Sequence, residues 1–254
     1  MIPDLKGKVV LITGASTGIG AATAKAFGAE GAKVAVHYNS SKSQADEVVA
    51  AIQKAGGEAT TVAGDLSKSG TAEAVVKQCV DHYGRIDVLI NNAGSMVRRS
   101  LVVDSDDALL EDLFNLNIRS VVAASRAAIP HMRKQGGGNI IITTSVAARN
   151  GGGPGAVLYA STKGFVSTFT RGLAKEGVKD KIRVNAVAPG VILTPFHERY
   201  STKAQLDMLQ ATIPMGRLAA SDECNGAYLY LASDALSGYV TGQVMEVNGG
   251  QLMP

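Results

Sequence analysis

Tyr159 and Lys163 stand four residues apart in Tyr159-Ala160-Ser161-Thr162-Lys163, a stretch patterned as the start of a helix. Residues i and i+4 share one helix face, so this phenol and this ammonium can reach a common site. A free tyrosine titrates near pH ~10 and is a poor base at neutrality. A cation held close favours the phenolate and lowers that value. A phenol tuned in this way can exchange a proton with an alcohol or ketone oxygen. The same spacing also arises on helix surfaces, where an aromatic beside a solvated lysine does no chemistry.

A second chemical element lies near the N-terminus. The apolar run Val9 to Ile12 breaks into Thr13-Gly14-Ala15-Ser16-Thr17-Gly18-Ile19-Gly20, and an alanine-rich helical pattern follows from Ala21 to Phe27. Glycines at a strand-to-helix turn let the backbone approach a ligand closely. The helix that follows presents free amides and the positive end of its dipole, which favours a phosphate. The stretch therefore reads as a dinucleotide cradle, with the spacing Gly-x-x-x-Gly-x-Gly.

Strand-like and helix-like patterns alternate along the chain, the signature of a parallel sheet covered by helices on both faces. Strands are expected at Val9 to Ile12, Lys33 to Tyr38, Ala59 to Ala63, Ile86 to Ile90, Asn139 to Thr144, Ile182 to Val187 and Gln243 to Val247. Helices are expected at Ser41 to Ala55, Thr71 to Tyr83, Val157 to Glu176 and Ser221 to Ala232, the last with Ser221 as N-cap. A helical stretch from about Asp106 to Lys134 should kink or break near Asn115 to Asn117. Pro195 to Gly216 is polar and helical without a strand, an excursion over the sheet edge. The expected fold is α/β, one doubly wound parallel sheet of about seven strands in one domain spanning 1–254. In such sheets ligands bind beyond the carboxyl ends of the strands. Gly14 to Gly20, Tyr38-Asn39, Asp65, Asn92 to Gly94, Ser145 and Pro189-Gly190 all fall there.

Composition excludes several classes. With 254 residues and 46% hydrophobic side chains, the chain can bury a sizeable core and is not disordered. A net charge of +3 is too mild and dispersed for a nucleic-acid surface. Cys79 and Cys224 are expected to be buried thiols, and neither they nor His37, His82, His131 and His197 show metal-ligand spacing. No leader or membrane span is evident, so a soluble, cytoplasmic protein is expected.

Taken together the motifs resemble the short-chain dehydrogenase/reductase family over essentially the whole chain. The residues that carry the resemblance are Thr13 to Gly20, Asp65-Leu66, Asn91-Asn92-Ala93-Gly94, Asn117, Ser145, Tyr159 to Lys163, Pro189-Gly190 with Thr194, and Val247-Asn248-Gly249-Gly250. The resemblance implies a nicotinamide cofactor and hydride transfer to or from a ketone or secondary alcohol. It makes Tyr159 the acid/base and gives Lys163 the tasks of lowering its pKa and holding the nicotinamide ribose. Ser145 would bind the substrate oxygen, and Asn117 would hold a relay water. Asn117 is preferred to Asn115, and Ser145 to Thr144, because the flanking residues fit the family pattern.

Cofactor contacts carry over to Gly14, Ser16, Thr17, Gly18, Ile19, Gly20, Tyr38, Asn39, Ser40, Asp65, Leu66, Asn92, Ala93, Gly94, Pro189, Gly190, Ile192 and Thr194, together with Tyr159 and Lys163. NADP(H) is favoured and NAD(H) possible, since Tyr38 occupies the strand-two position where an acid would select NAD, and Asn39, Ser40 and Ser41 follow. There are two departures. Ser145 lies fourteen residues before Tyr159, one more than the family spacing, so Gly151 to Gly155 should bulge. Asn248 stands where aspartate is usual. The resemblance also implies a homo-oligomer, tetramer or dimer, and a substrate-covering segment at about 195–216. The substrate is open between 3-oxoacyl thioesters and sugars or polyols. Arg98, Arg99 and Arg149 are candidates to meet an anionic substrate or remain as surface charge. A non-catalytic nucleotide sensor or scaffold is the alternative, which the presence of all four of Asn117, Ser145, Tyr159 and Lys163 disfavours.

Overall fold

The short apolar runs that read as strands do form one sheet. In the computed structural model, which describes residues 2–253, β1 (Val9–Ile12), β2 (Lys33–Tyr38), β3 (Glu58–Ala63), β4 (Val88–Asn91), β5 (Gly138–Thr143), β6 (Ile182–Pro189) and β7 (Val244–Val247) pair in parallel. Their spatial order is β3-β2-β1-β4-β5-β6-β7. Order reverses between β1 and β4, where Ile12 faces Val36 on one side and Ile90 on the other. A crevice opens at such a reversal because the connections leave toward opposite faces of the sheet.

The helices are α1 (Gly18–Ala29), α2 (Lys42–Lys54), α3 (Thr71–Tyr83), α4 (Asp107–Phe114), α5 (Ser120–Lys134), α6 (Ala147–Asn150), α7 (Val157–Gly177), α8 (Pro195–Tyr200), α9 (Lys203–Ala211), α10 (Asn225–Ala232) and α11 (Asp234–Ser237). Strand side chains alternate between faces. Val10, Ile12, Val34, Val36 and Ile90 meet Phe27, Ile52, Tyr228 and Leu231 on one side of the sheet. Val9, Leu11, Leu89, Ile140 and Ile142 meet Val75, Val121, Met132, Val166 and Leu173 on the other. Burying each such side chain contributes about 1.5–3 kcal/mol. Cys79 and Cys224 are free and buried, as expected, and burial raises both thiols to about 12.

One local expectation is made specific and one changes. The interruption expected near Asn115 to Asn117 is a π turn, Asn115–Arg119, that joins α4 to α5. Ser221 is not an N-cap. It lies inside a 3-10 turn, Ser221–Cys224, because the Glu223 carboxylate, held by Arg217, accepts the Ala220 amide at 2.8 Å and takes over that task. The glycine segment 151–155 does bulge, with Gly151, Gly152 and Gly155 all left-handed. Among the described residues, no helix is long and apolar enough to cross a membrane.

Candidate active site

A cleft of about 700 Å³ lies over the carboxyl ends of the strands. Its first end is built on the glycine loop. Gly14 and Gly18 adopt φ of 62° and 56°, which a side chain resists. Gly20 faces a different constraint, since a methyl there would stand 2.3 Å from the Gly14 carbonyl oxygen. Thr17, at the N-cap of α1, makes no side-chain bond to the first turn, so those amides remain available to an anion. The loop is fastened from two sides. Asn92 Nδ2 donates to the carbonyls of Thr13 at 2.9 Å and Gly14 at 3.0 Å. His37 Nδ1 accepts from the Gly14 amide at 2.9 Å, so its Nε2 carries the proton and donates to Gly64 O at 2.9 Å. Burial lowers the His37 pKa and keeps the ring neutral for that double task, the bond to Gly64 opposing the shift.

Most of the expected contacts line this cleft: Gly14, Ser16, Thr17, Gly18, Ile19, Gly20, Asn39, Ser40, Asp65, Leu66, Asn92, Ala93 and Gly94. Tyr38 does not. Alternation along β2 turns it to the opposite face of the sheet, packed against the core with Val34 and Val36, and the cleft is met by its neighbours His37 and Asn39. Asp65 accepts from the Ser67 amide at 3.0 Å and hydroxyl at 2.7 Å, the hydroxyl bond being the leading cause of its lowered pKa.

At the other end β5 delivers Ser145, and the first turn of α7 delivers Tyr159 and Lys163 to the same wall. Lys163 Nζ donates to Thr143 O at 2.9 Å and lies 5.7 Å from the centroid of the Tyr159 ring. Burial pushes the Tyr159 phenol up to about 12, with the Ser145 hydroxyl pulling the other way, and pushes Lys163 down to about 8. Loss of solvation is the leading effect on the phenol and opposes the lowering expected from Lys163. Thr144 hydroxyl bonds back to Lys163 O at 2.9 Å, which leaves Ser145 as the hydroxyl beside the phenol.

Asn117 stands behind the wall, fully buried. Its Oδ1 accepts the Ser95 amide at 2.9 Å, while Nδ2 donates to Ser95 O at 2.8 Å and to Thr162 Oγ1 at 3.1 Å. A methyl on Gly94 would stand 3.1 Å from both Asn117 Oδ1 and Lys163 Nζ, so this glycine allows the two to converge. Pro189, Gly190, Ile192 and Thr194 complete the floor. Asn248 packs against Gly190 and closes its own turn, Oδ1 accepting from the Gly250 amide at 3.0 Å.

Helix α8 covers this end. Tyr200 hydroxyl bonds Ser95 Oγ at 2.7 Å, and Phe196 lies 5.5 Å from the Tyr159 ring and 5.0 Å from that of Tyr200. Arg99 Nε donates to Tyr200 O and Nη1 to Pro154 O at 2.9 Å. Arg98 instead pairs with Asp106 at 2.7 Å, and Arg149 lies 3.8 Å from Glu246. Ser95 and Gln251, marked only by their places after β4 and β7, and His37, inside β2, were not legible from spacing. Among the described residues, no group of three or more His, Cys, Asp or Glu is placed to hold a metal.

Comparison with known proteins agrees with this geometry. The sequence model described as enoyl-(acyl carrier protein) reductase matches residues 14–251. The 3-oxoacyl-[acyl-carrier-protein] reductase FabG of Thermotoga maritima is 40% identical over 97% of this chain and 98% of its own. The 3beta-hydroxysteroid dehydrogenase 1 of Eggerthella lenta is 37% identical over 100% of this chain and 97% of its own. The crystal structure of NADH-dependent reductase A1-R′, responsible for alginate metabolism, superposes with a TM-score of 0.91 at 39% identity, covering 99% of this chain and 100% of that one. In complex with NAD the TM-score is 0.89. The chain belongs to the short-chain dehydrogenase/reductase family. It is an oxidoreductase acting on CH–OH groups.

Proposed function

We propose that the protein reduces a ketone, or oxidises the matching secondary alcohol, with NADP(H) favoured over NAD(H). The observation that carries this reading is the convergence of Ser145, Tyr159 and Lys163 on a cleft whose other end is a glycine-loop anion cradle. The nicotinamide cofactor supplies or accepts the hydride. Ser145 hydrogen-bonds the substrate oxygen, and Tyr159 donates the proton to it in reduction. Burial keeps the Tyr159 phenol protonated at neutrality, so it holds the proton that reduction requires. Lys163 supplies the positive charge beneath it, and Asn117 fixes Ser95 and, through Thr162, the first turn of α7. The preference for NADP(H) is supported by Asn39, Ser40 and Ser41 lining the cleft beyond β2 with no carboxylate among them.

The substrate is of 3-oxoacyl thioester or sugar/polyol type, covered by the segment 195–216, and the enzyme works in the cytoplasm. Exposed Leu110 and Phe114 on α4 and Phe165 on α7 support a homotetramer or dimer, checked by light scattering, where a monomer refutes it. Tyr159→Phe should lower turnover about 1000-fold or more while cofactor still binds, because the proton donor is lost. Retained turnover sinks the assignment. In the same assay, a higher kcat/KM with NADH than with NADPH would reverse the cofactor preference.

A further inference from the structure

The charges at the α8 end of the cleft have no counterpart. Seven arginines of the chain, Arg85, Arg98, Arg126, Arg133, Arg149, Arg183 and Arg217, lie within ion-pair distance of a carboxylate. Of the four that have none among the described residues, Arg119 lies over the Phe114 ring and Arg171 donates to Ser167 O. The remaining two, Arg99 and Arg199, both line the cleft, Arg199 exposed at its rim with its guanidinium 6.0 Å from the centroid of the Tyr200 ring. Asp65, beyond β3 and bound to Ser67, is the sole carboxylate among the lining residues. The end under α8 therefore carries Lys163, Arg99 and Arg199 with no acid to balance them.

Arg99 is the more informative of the pair. It is half-buried, and burial draws its pKa down. Its Nε and Nη1 are spent on the carbonyls of Tyr200 and Pro154, while Nη2 has no hydrogen-bond partner among the described residues. A neighbouring group feels its charge: His197, another lining residue, has its pKa lowered first by burial and then by Arg99. A half-buried guanidinium that faces only carbonyls keeps its charge free for an anion in the cleft. Guanidinium nitrogens set in a fork match a carboxylate or a phosphate, and the test below separates the two. Gln251 adds a polar contact at the cleft wall, since its Oε1 is buried without a partner and can accept from a hydroxyl.

We infer that the substrate is a small, hydroxylated carbonyl compound bearing a carboxylate, and that Arg99 and Arg199 receive that carboxylate. This rests on the oxidoreductase reading above and narrows it. The cleft also has to hold the cofactor, so the compound is compact. Its carbonyl meets Tyr159 and Ser145 while its acid end lies under α8.

The test compares kcat/KM for matched pairs, a hexulosonate against the neutral ketohexose and a hydroxylated keto acid against its methyl ester. The carboxylate should be preferred by about tenfold or more, as for a charge-assisted pair in a covered site, and the preference should shrink with added salt. Arg199→Gln and Arg99→Gln should each reduce that preference severalfold, with Arg99→Lys retaining part of it. Equal or better use of the neutral partners overturns the inference, as does a change confined to the KM of the cofactor, which would assign these arginines to its pyrophosphate. A preference for acetoacetyl-CoA over its N-acetylcysteamine thioester, without one for carboxylates, also overturns it. If nothing is turned over, the oxidoreductase reading fails separately. Titration of the protein–cofactor complex with a hexonate and with the matching hexitol then decides: selective binding of the hexonate, lost in Arg199→Gln, supports the carboxylate site, and no selectivity ends it.

Discussion

The two ends of the cleft are assembled by different means. At the glycine-loop end, side chains of the neighbouring strands and loops grip main-chain groups. Gly14 gives its amide to His37, the Thr13 and Gly14 carbonyls receive Asn92, and Thr13 Oγ1 accepts the amides of Asn92 and Ala93. The α8 end is tied by side chains reaching across from separate segments, Tyr200 to Ser95 and Arg99 to Tyr200 and Pro154. The groups this end offers to a ligand are main-chain amides, which suit a ligand common to many relatives because they do not change with the residue that carries them. A side-chain framework can be rewritten one residue at a time, and that is where substrate choice can diverge.

Among changes that test how each end is held, attacking the glycine loop should cost the most. Gly20→Ala puts a methyl against the Gly14 carbonyl oxygen, which is backbone and cannot swing aside. Cofactor affinity, read by fluorescence titration, should fall about 100-fold, a loss of the order expected when close approach to the loop is blocked. Affinity within twofold of the parent would show that this end is softer than its bonding implies.

The floor between the two ends sets the pH response. Lys163 holds its ammonium below its folded value of about 8 and loses it above, whereas Tyr159, raised to about 12, stays protonated throughout. The rate of carbonyl reduction at limiting substrate should be level at neutrality and decline as pH rises through about 8. A rate that climbs through the same window would assign the titration to another group.

The smallest effect is expected at the α8 end. Tyr200→Phe removes one hydrogen bond to Ser95, worth about 1 kcal/mol, so KM for the carbonyl substrate should rise about fivefold with cofactor affinity unchanged. An equal loss in both would mean that the two ends are coupled through Ser95 and Asn117.

The number and parallel type of the strands were readable because each is a short apolar run bounded by glycine or polar residues, and because parallel strands buried on both faces need such runs. The glycine loop, Ser145, Tyr159 and Lys163 were readable for a similar reason, since their spacing is local. What escaped depends on direction in space. Tyr38 and His37 are adjacent, and only the phase of the pleat decides which one faces the cleft. Ser95 meets Tyr200 across 105 residues, a pairing no local pattern contains. Ser221 had the right side chain for a cap but lost the position to Glu223, whose carboxylate was already fixed by Arg217.

The π turn between α4 and α5 has a practical consequence. It fits one more residue into its turn than an α-helix would, and it does so where Asn117 must face Ser95 and Thr162. Excising a single residue there would let α4 close into α5 as α-helix, with Pro130 still interrupting the ladder further on, but would take away the added residue that brings Asn117 to Ser95 and Thr162. An engineer smoothing irregular helices for heat tolerance would be drawn to this spot first. The expected product is a sturdier rod and a disarmed enzyme, because the irregularity is the means by which the asparagine is aimed.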